Sequence, residues 1–160
     1  MSRVRIHAGS GDKHWPLWVN VDSNGDPDVI GDIRKMPFEA GYADEIQAIH
    51  AVEHIDRMDV DNMLQDWHRI LKSGGKVVVE LPCLNKMAQM IVDGEKNIRM
   101  TTLGLFGDPR DQKPGMMHKW AWTKEELSDA MLAVGFTDVT VMEPVFHHKR
   151  RDMRIEARKP

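Results

Sequence analysis

Residues 5–22, RIHAGSGDKHWPLWVNVD, join two short strand patterns through a glycine-rich turn. The first strand pattern, at 4–8, runs directly into Gly9 and Gly11, and the second ends in Asp22. Glycine lets a backbone bend sharply and come close to a ligand. A carboxylate at the end of the following strand is where nucleotide-binding sheets accept the hydroxyl groups of a ribose. The stretch therefore predicts a nucleotide-type site at the carboxyl edge of a sheet.

The glycine turn departs from the dinucleotide-binding fingerprint, which needs GxGxxG at the start of a helix and an acid about 20 residues further on. Here Asp22 follows Gly11 by 11 residues, and the interval contains Trp15 and Pro16. A nicotinamide oxidoreductase remains only as a third class of function, because this short segment would have to hold a pyrophosphate.

The rest of the chain alternates strand patterns with helical periods, which predicts an α/β fold with a mostly parallel sheet. Further strands are predicted at 28–31, 44–49, 76–81, 137–142 and 153–158, and helices at 59–72, 85–93 and 123–135. The intervals between the first three strands are shorter than the dozen or more residues that a parallel crossover normally needs. We therefore expect the helices there to be shortened or missing. The apolar surface left open would then be covered by Trp15, Trp18, the segment 84–117 or a second subunit.

The composition indicates one ordinary globular domain spanning 1–160. Lys and Arg total 22 against 25 Asp and Glu, and the net charge of −3 argues against a strongly basic nucleic-acid binder. The single cysteine, Cys83, has no internal partner, as in proteins of a reducing compartment. The sequence shows neither a signal peptide nor an apolar run long enough for a membrane span. These observations predict a cytoplasmic protein.

Over nearly its whole length the chain resembles the class I S-adenosylmethionine-dependent methyltransferases, as an abbreviated member of the type 11-like group. Six segments carry the resemblance, in the order in which that family presents its motifs. They are HAGSG (7–11), WVNVD (18–22), GDIRKMPF (31–38), ADEIQAIHAVEHI (43–55), HRILKSGGKVVVELP (68–82) and WTKEELSDAMLAVGFTDVTV (122–141). Ser73 departs from the pattern, because it replaces the family's usual proline.

The resemblance implies a Rossmann-like sheet of seven strands, the last one antiparallel, with S-adenosyl-L-methionine at the carboxyl ends of the first strands. Asp22 would accept the ribose hydroxyls, and Asp32 and Ile33 would face the adenine. Segment 83–122 would form the acceptor site or a lid. The full set of implied cofactor-binding residues is His7, Ala8, Gly9, Ser10, Gly11, Asp22, Asp32, Ile33 and His50.

Two histidines are the candidate catalytic residues. Methyl transfer is an in-line displacement at a sulfonium, so the enzyme mainly positions the acceptor and excludes water. A base is needed only when the acceptor carries a proton to lose, and an imidazole with a pKa near 6.5 suits that task. His50, after the fourth strand, and His118, before the closing helix, are placed for it. The alternative is that His50 has only a structural role, in capping and packing, and that His118 is a histidine of a surface loop.

Three other features have more ordinary interpretations. HAVEH, residues 50–54, matches the H-x-x-E-H pattern of inverted zinc peptidases, but a strand runs straight into it, so we expect no metal site. The six Lys and Arg residues of 149–160 flank or alternate along a strand, which indicates a solvated face more than an RNA-binding patch. Cys83 lacks the full Pro-Cys context of a nucleophile, which favours a bystander thiol.

The sequence thus predicts an enzyme that transfers a methyl group from S-adenosyl-L-methionine to a small-molecule or glycan-like acceptor. We expect no membrane partner and no nucleic acid, and we keep a homodimer open. The alternative function is a cofactor-binding module with weak catalysis, or a partner subunit. It is motivated by the first strand, whose start at Val4 leaves no residues for the helix that often covers this family's site.

Overall fold

The structure is a computed structural model that describes residues 3–111, 113 and 115–160. Gln112 and Pro114, inside the predicted acceptor segment 83–122, lie outside the described residues, as do Met1 and Ser2. The elements, in chain order, are β1 (Arg5–Ala8), β2 (Val19–Asp22), β3 (Val29–Ile30), β4 (Ala43–Ile49), a 3-10 turn (Val52–His54), α1 (Arg57–Ile70), β5 (Leu71–Pro82), α2 (Leu84–Val92), α3 (Ile98–Phe106), α4 (Lys124–Val134), β6 (Thr137–Met142) and β7 (Asp152–Arg158).

The strands form one seven-stranded sheet in the order β3-β2-β1-β4-β5-β7-β6. The first five strands pair in parallel, and β7 runs antiparallel to both β5 and β6. This confirms the predicted α/β sheet with an antiparallel last strand. The chain order reverses between β1 and β4, and open α/β sheets bind their ligands at the carboxyl ends of strands beside such a reversal.

One face of the sheet is apolar and carries the core. Side chains that alternate along the strands point to this face, and α1 and α4 cover it. The fully buried members on the three central strands are Ile6, Ala8, Ile46, Ala48, Val77, Val79 and Leu81. Each fully buried valine, leucine or isoleucine contributes about 1.5–3 kcal/mol, so this face supplies much of the stability of the fold.

The two strongest helical patterns are confirmed with small shifts. Thr123 caps α4, because its side chain accepts a hydrogen bond from the Glu126 amide at 3.1 Å. Helix α1 ends at Ile70, because Leu71 already pairs with Ala43 of β4. Gly74, which the pattern places at the end of this helix, instead lies at φ +76° where the β4–β5 register shifts.

The opposite face of the sheet is polar. In the strand register, Arg5 lies beside Glu45, Glu45 beside Lys76, and Lys76 beside Arg158. Acidic and basic side chains pair across these strands, with Lys76 Nζ 3.3 Å from Glu45 and 3.4 Å from Glu156. Charged side chains therefore occupy positions where an apolar surface would need a covering helix.

The prediction that the helices between the first three strands are shortened or missing is confirmed, since residues 9–18 and 23–28 contain none. The expectation that their loss opens an apolar surface is wrong, because that face carries the charged residues just described. Trp15 and Trp18 do cover part of it: Trp15 stacks on His7 at 3.8 Å, and the Arg5 guanidinium lies 4.8 Å from the Trp18 ring.

Among the described residues, every helix falls short of the length and apolar character that crossing a lipid bilayer requires.

Candidate functional site

The glycine turn after β1 is fixed by the neighbouring strand. The amides of Gly9 and Ser10 both donate to the Val21 carbonyl of β2, at 2.9 and 3.1 Å. Gly9 has a φ of +72°, and a Cβ added there would overlap the Cβ of Ala51. The turn therefore packs closely against the segment that follows β4, and only glycine fits this position.

Asp22 lies beside this turn, as the resemblance implies. Its Oδ2 accepts the Gly11 amide at 2.8 Å, and its Oδ1 accepts the Asn24 amide at 2.8 Å. Each carboxylate oxygen still has a lone pair, because a carboxylate accepts about four hydrogen bonds. The carboxylate is thereby held in one orientation and can still accept the two hydroxyls of a ribose.

Ser10 supplies a polar group without a partner. It is 3% exposed, and its Oγ makes no hydrogen bond to any of the described residues. A buried hydroxyl without a partner is costly. A polar ligand in the turn would satisfy it, and space is available beside Gly11, where an added Cβ would meet no atom within 4 Å.

Ile33 brings the loop after β3 to the glycine turn, and Asp32 precedes it in that loop. The Arg34 guanidinium donates to both carboxylate oxygens of Asp32, with Nη2 at 2.7 Å from Oδ2, and these bonds lower the pKa of Asp32. Ile33 is buried, and its carbonyl accepts the Trp67 indole N–H at 2.7 Å. Its Cδ1 would lie 3.9 Å from a Cβ on Gly9, so Ile33 lines the glycine turn.

His7 and Ala8 contribute to the site mainly through their backbone. The His7 ring is buried under Trp15, and its Nδ1 lies 3.3 Å from Asn20 Oδ1. Burial lowers the pKa of this histidine. Ala8 points to the opposite, apolar face, where it is fully buried. Both residues lead the chain into the turn.

His50 follows β4 in a left-handed conformation, with a φ of +53°. Its Nε2 lies 3.0 Å from Asp152 Oδ2 and its Nδ1 lies 3.0 Å from Glu53 Oε1. Burial disfavours the charged imidazolium, but the two carboxylates outweigh this and raise the pKa of His50 to about 9. At neutral pH His50 is therefore a cation that donates protons to hydrogen bonds, and it is not poised to accept one.

His118 has the opposite character. Its Nδ1 lies 2.8 Å from the Gly104 carbonyl, so this nitrogen carries the proton and Nε2 carries the lone pair. Burial lowers the pKa of His118, which keeps the ring neutral at pH 7. Its ring lies 4.8 Å from that of His54. His50 and His118 thus both lie close to Glu53 but differ in charge.

The loop at 145–147 also reaches the site, which the sequence analysis missed. Glu80 of β5 is fully buried and accepts the amides of Val145, Phe146 and His147 at 2.8, 2.8 and 3.1 Å. Phe146 then stacks on Trp15 at 5.0 Å, and His147 lies 4.1 Å from His50. The signal in the sequence was a glutamate inside the apolar run KVVVELP.

Comparisons with known proteins found similarity in sequence and in fold. Residues 18–79 match the family model described as a methyltransferase domain. No curated protein matches this sequence. The fold is similar to that of many solved structures.

One similar structure is bacterial and another is archaeal. A possible histamine N-methyltransferase from Thermotoga maritima is 16% identical, with a TM-score of 0.68 over all of this chain and 83% of that one. An S-adenosylmethionine-dependent methyltransferase from Methanosarcina mazei is 14% identical, with a TM-score of 0.68 over 99% of this chain and 94% of that one.

A third structure contains the cofactor. Phosphoethanolamine N-methyltransferase 2 from Haemonchus contortus, in complex with S-adenosyl-L-methionine, is 13% identical, with a TM-score of 0.63 over 99% of this chain and 49% of that one. The family match and these shared folds confirm the resemblance found in the sequence.

Proposed function

We propose that this chain, which has the class I S-adenosylmethionine-dependent methyltransferase fold and matches the methyltransferase domain over 18–79, binds S-adenosyl-L-methionine and transfers its methyl group to a small-molecule or glycan-like acceptor. One observation carries the proposal. The Gly11 amide and the Asp22 carboxylate are joined at 2.8 Å beside the buried, unpartnered hydroxyl of Ser10, at the carboxyl ends of two adjacent parallel strands.

The residues present fit the cofactor. Asp22 has free lone pairs for two ribose hydroxyls, and Ser10 needs a polar partner. Ile33 offers an apolar surface on the far side of the turn, where an adenine would lie. When bound, the cofactor supplies a methyl group on a positively charged sulfur, which an acceptor lone pair displaces in line.

The acceptor would enter from the side of segment 83–122. A cavity of about 420 Å³ lies between α3 and the chain that leads to His118. Its lining is mostly apolar and includes Leu103, Phe106 and Met117, together with Arg99. A small molecule with an apolar body and an anionic or hydroxyl group would match this lining.

The two predicted catalytic histidines would differ in role. His118 is neutral and has a free Nε2, so it suits the acceptance of a proton from a hydroxyl acceptor. His50, as an imidazolium between Asp152 and Glu53, would hold the 3-10 turn in place.

Calorimetric titration with S-adenosylhomocysteine tests cofactor binding. We expect micromolar affinity in the unchanged protein and a loss of at least about tenfold in Asp22→Ala, because one removed charged hydrogen-bond acceptor contributes roughly 1.5–3 kcal/mol. Asp26→Ala is the matched control, since Asp26 lies in the next turn and is exposed. NAD serves as the control ligand. Equal affinities of the three proteins, or tighter binding of NAD, would contradict the proposal.

The second candidate function is a cofactor-binding module or partner subunit with weak catalysis. The charge on His50 favours it, because that residue is unavailable as a base at neutral pH. Methyl transfer from labelled cofactor to any member of a panel of hydroxyl and amine acceptors would exclude this candidate. Binding of the cofactor without transfer to any of them would support it.

A further inference from the structure

A cluster of three side chains at the carboxyl end of β4 has the composition of a metal site. Glu53 and His54 lie in the 3-10 turn that follows β4, and His118 approaches from the chain that precedes α4. One ligand atom from each residue lies within 4.8 Å of the other two. Two imidazoles and one carboxylate are ligands that zinc and other divalent first-row transition metals accept.

The two histidines are already oriented as metal ligands. Nδ1 of His118 lies 2.8 Å from the Gly104 carbonyl, and Nδ1 of His54 lies 3.3 Å from the Met117 carbonyl. Each Nδ1 therefore carries the proton, which leaves the lone pair on Nε2. Metal-binding histidines usually donate the N–H of the other nitrogen to a carbonyl or carboxylate in this way, because the hydrogen bond fixes the ring and raises its basicity.

Glu53 gives an independent indication of a ligand. It is 1% exposed, and its Oε2 is buried without a hydrogen-bond partner among the described residues. Its Oε1 lies 3.0 Å from Nδ1 of the His50 imidazolium, which leaves Oε2 available for a further donor or cation. A buried carboxylate normally has its oxygens satisfied by donors or by a cation.

Backbone hydrogen bonds hold the chain around His118 beside the 3-10 turn. The amides of Lys119 and Trp120 donate to the Glu53 carbonyl at 2.8 and 3.4 Å, and the His118 amide donates to the Phe106 carbonyl at 3.2 Å. Gly107 has a φ of +85°, and a Cβ there would approach the His118 ring to 3.4 Å. These hydrogen bonds and the conformation of Gly107 thus fix the position of His118 beside the 3-10 turn.

From this geometry we infer that Glu53, His54 and His118 bind one divalent transition-metal ion, of which Zn²⁺ is the representative. Ligand atoms around a tetrahedral zinc are about 3.4 Å apart, so binding would draw the side chains together slightly. Three protein ligands leave one position open, as in catalytic zinc sites. With the Nε2 of His118 bound to the metal, a hydroxyl at that position would lose its proton to water, more readily than when unbound. This consequence rests on the proposed methyl transfer, whereas metal binding itself does not.

Titration with Co²⁺ tests the inference on tag-free full-length protein that has been dialysed against a chelator. We expect one Co²⁺ per chain with a visible absorption band, which Zn²⁺ displaces. His54→Ala and His118→Ala should each weaken the affinity by about 100-fold, and Glu53→Gln should do the same if it folds. His148→Ala, at an exposed histidine outside the cluster, should bind as the unchanged protein does.

The inference would be overturned by unchanged Co²⁺ affinity in both His54→Ala and His118→Ala, or by less than one tightly held ion in the unchanged protein. Titration of the same samples with S-adenosylhomocysteine separates this result from the proposed function. Loss of metal binding in the cluster variants, with cofactor binding retained, would support the metal site. Retained metal binding in a protein that fails to bind the cofactor would contradict only the proposed function.

Discussion

His50 and Asp152 are 102 residues apart in sequence, yet the imidazole Nε2 and the carboxylate Oδ2 lie 3.0 Å apart. This contact joins the end of β4 to the start of β7 across β5. Burial alone would raise the pKa of Asp152, but the bonds from His50 and Arg151 lower it to about 2, while that of His50 rises to about 9. The pair therefore stabilises the fold across a wide pH range.

The pH dependence of this pair gives a prediction. His50 contributes stability that is complete below its ordinary pKa of 6.5 and is lost as the pH rises through about 9. Asp152 contributes stability that is complete above 3.8 and is lost as the pH falls through about 2. Asp152→Asn should lower the free energy of unfolding by about 3 kcal/mol at pH 7, with a smaller loss above pH 9. Urea unfolding at both pH values measures it.

The control for this prediction is Asp129→Asn, at an exposed position of α4. A proton NMR titration should find the pKa of His50 lower in Asp152→Asn and unchanged in the control. An imidazole that titrates near 6.5 in the unchanged protein would contradict the assignment.

Glu80→Gln is expected to loosen the loop that covers the site. The buried carboxylate accepts three backbone amides, and a carboxamide cannot satisfy all of them while it also buries its own N–H groups. We expect a loss of about 2–3 kcal/mol in the free energy of unfolding. Amide hydrogen exchange at 145–147 should become faster. Glu143→Gln, at an exposed glutamate, is the control, and protection equal to that of the unchanged protein in Glu80→Gln would refute the prediction.

Two glycines of the same turn should respond differently to alanine. Gly9→Ala places a Cβ against that of Ala51 and also puts alanine at a positive φ. We therefore expect it to lower the free energy of unfolding by about 2–3 kcal/mol. Gly11→Ala has a positive φ but open space around it, so only the backbone strain of about 1 kcal/mol applies. Urea unfolding of both variants compares them, and a larger loss in Gly11→Ala would show that the packing argument is wrong.

The polar sheet face should be sensitive to salt. Lys76 lies between Glu45 and Glu156, at 3.3 and 3.4 Å. Lys76→Met should lower the free energy of unfolding by about 1 kcal/mol, and 1 M salt should reduce this cost because it screens the exposed part of the network. Lys35→Met, at an exposed position, is the control. A variant that is more stable than the unchanged protein would show that the charges are not stabilising.

Much of the fold was predictable because its signals are local. The alternation along β1, β4 and β5 and the period of α1 each determine which side chains face the core. The loop at 145–147 was not predictable in this way, because its position depends on Glu80, 65 residues earlier in the chain. Helix α3 was also missed, since Arg99 is the only charged residue in its sequence, IRMTTLGLF, and the helical period is therefore weak.

In the candidate site too, only the residues that are close in sequence were predictable. Gly9, Gly11 and Asp22 are close in sequence, and their spacing was enough to place them together. The proximity of His54 and His118 depends on a chain return that brings Met117, 63 residues after His54, into contact with it, and no sequence pattern predicts this contact. The charge of His50 likewise depends on Asp152, a distant partner.

The polar face of the sheet has a consequence for protein design, where a helical layer is removed from a larger fold. Deleting the helices of one layer would expose an apolar sheet face unless charged residues stood on the neighbouring strands, as Arg5, Glu45, Lys76 and Glu156 do here. A protein engineer who trims a three-layer enzyme to two layers must therefore rewrite the exposed strands together with the deletion. This chain provides a pattern for that rewriting.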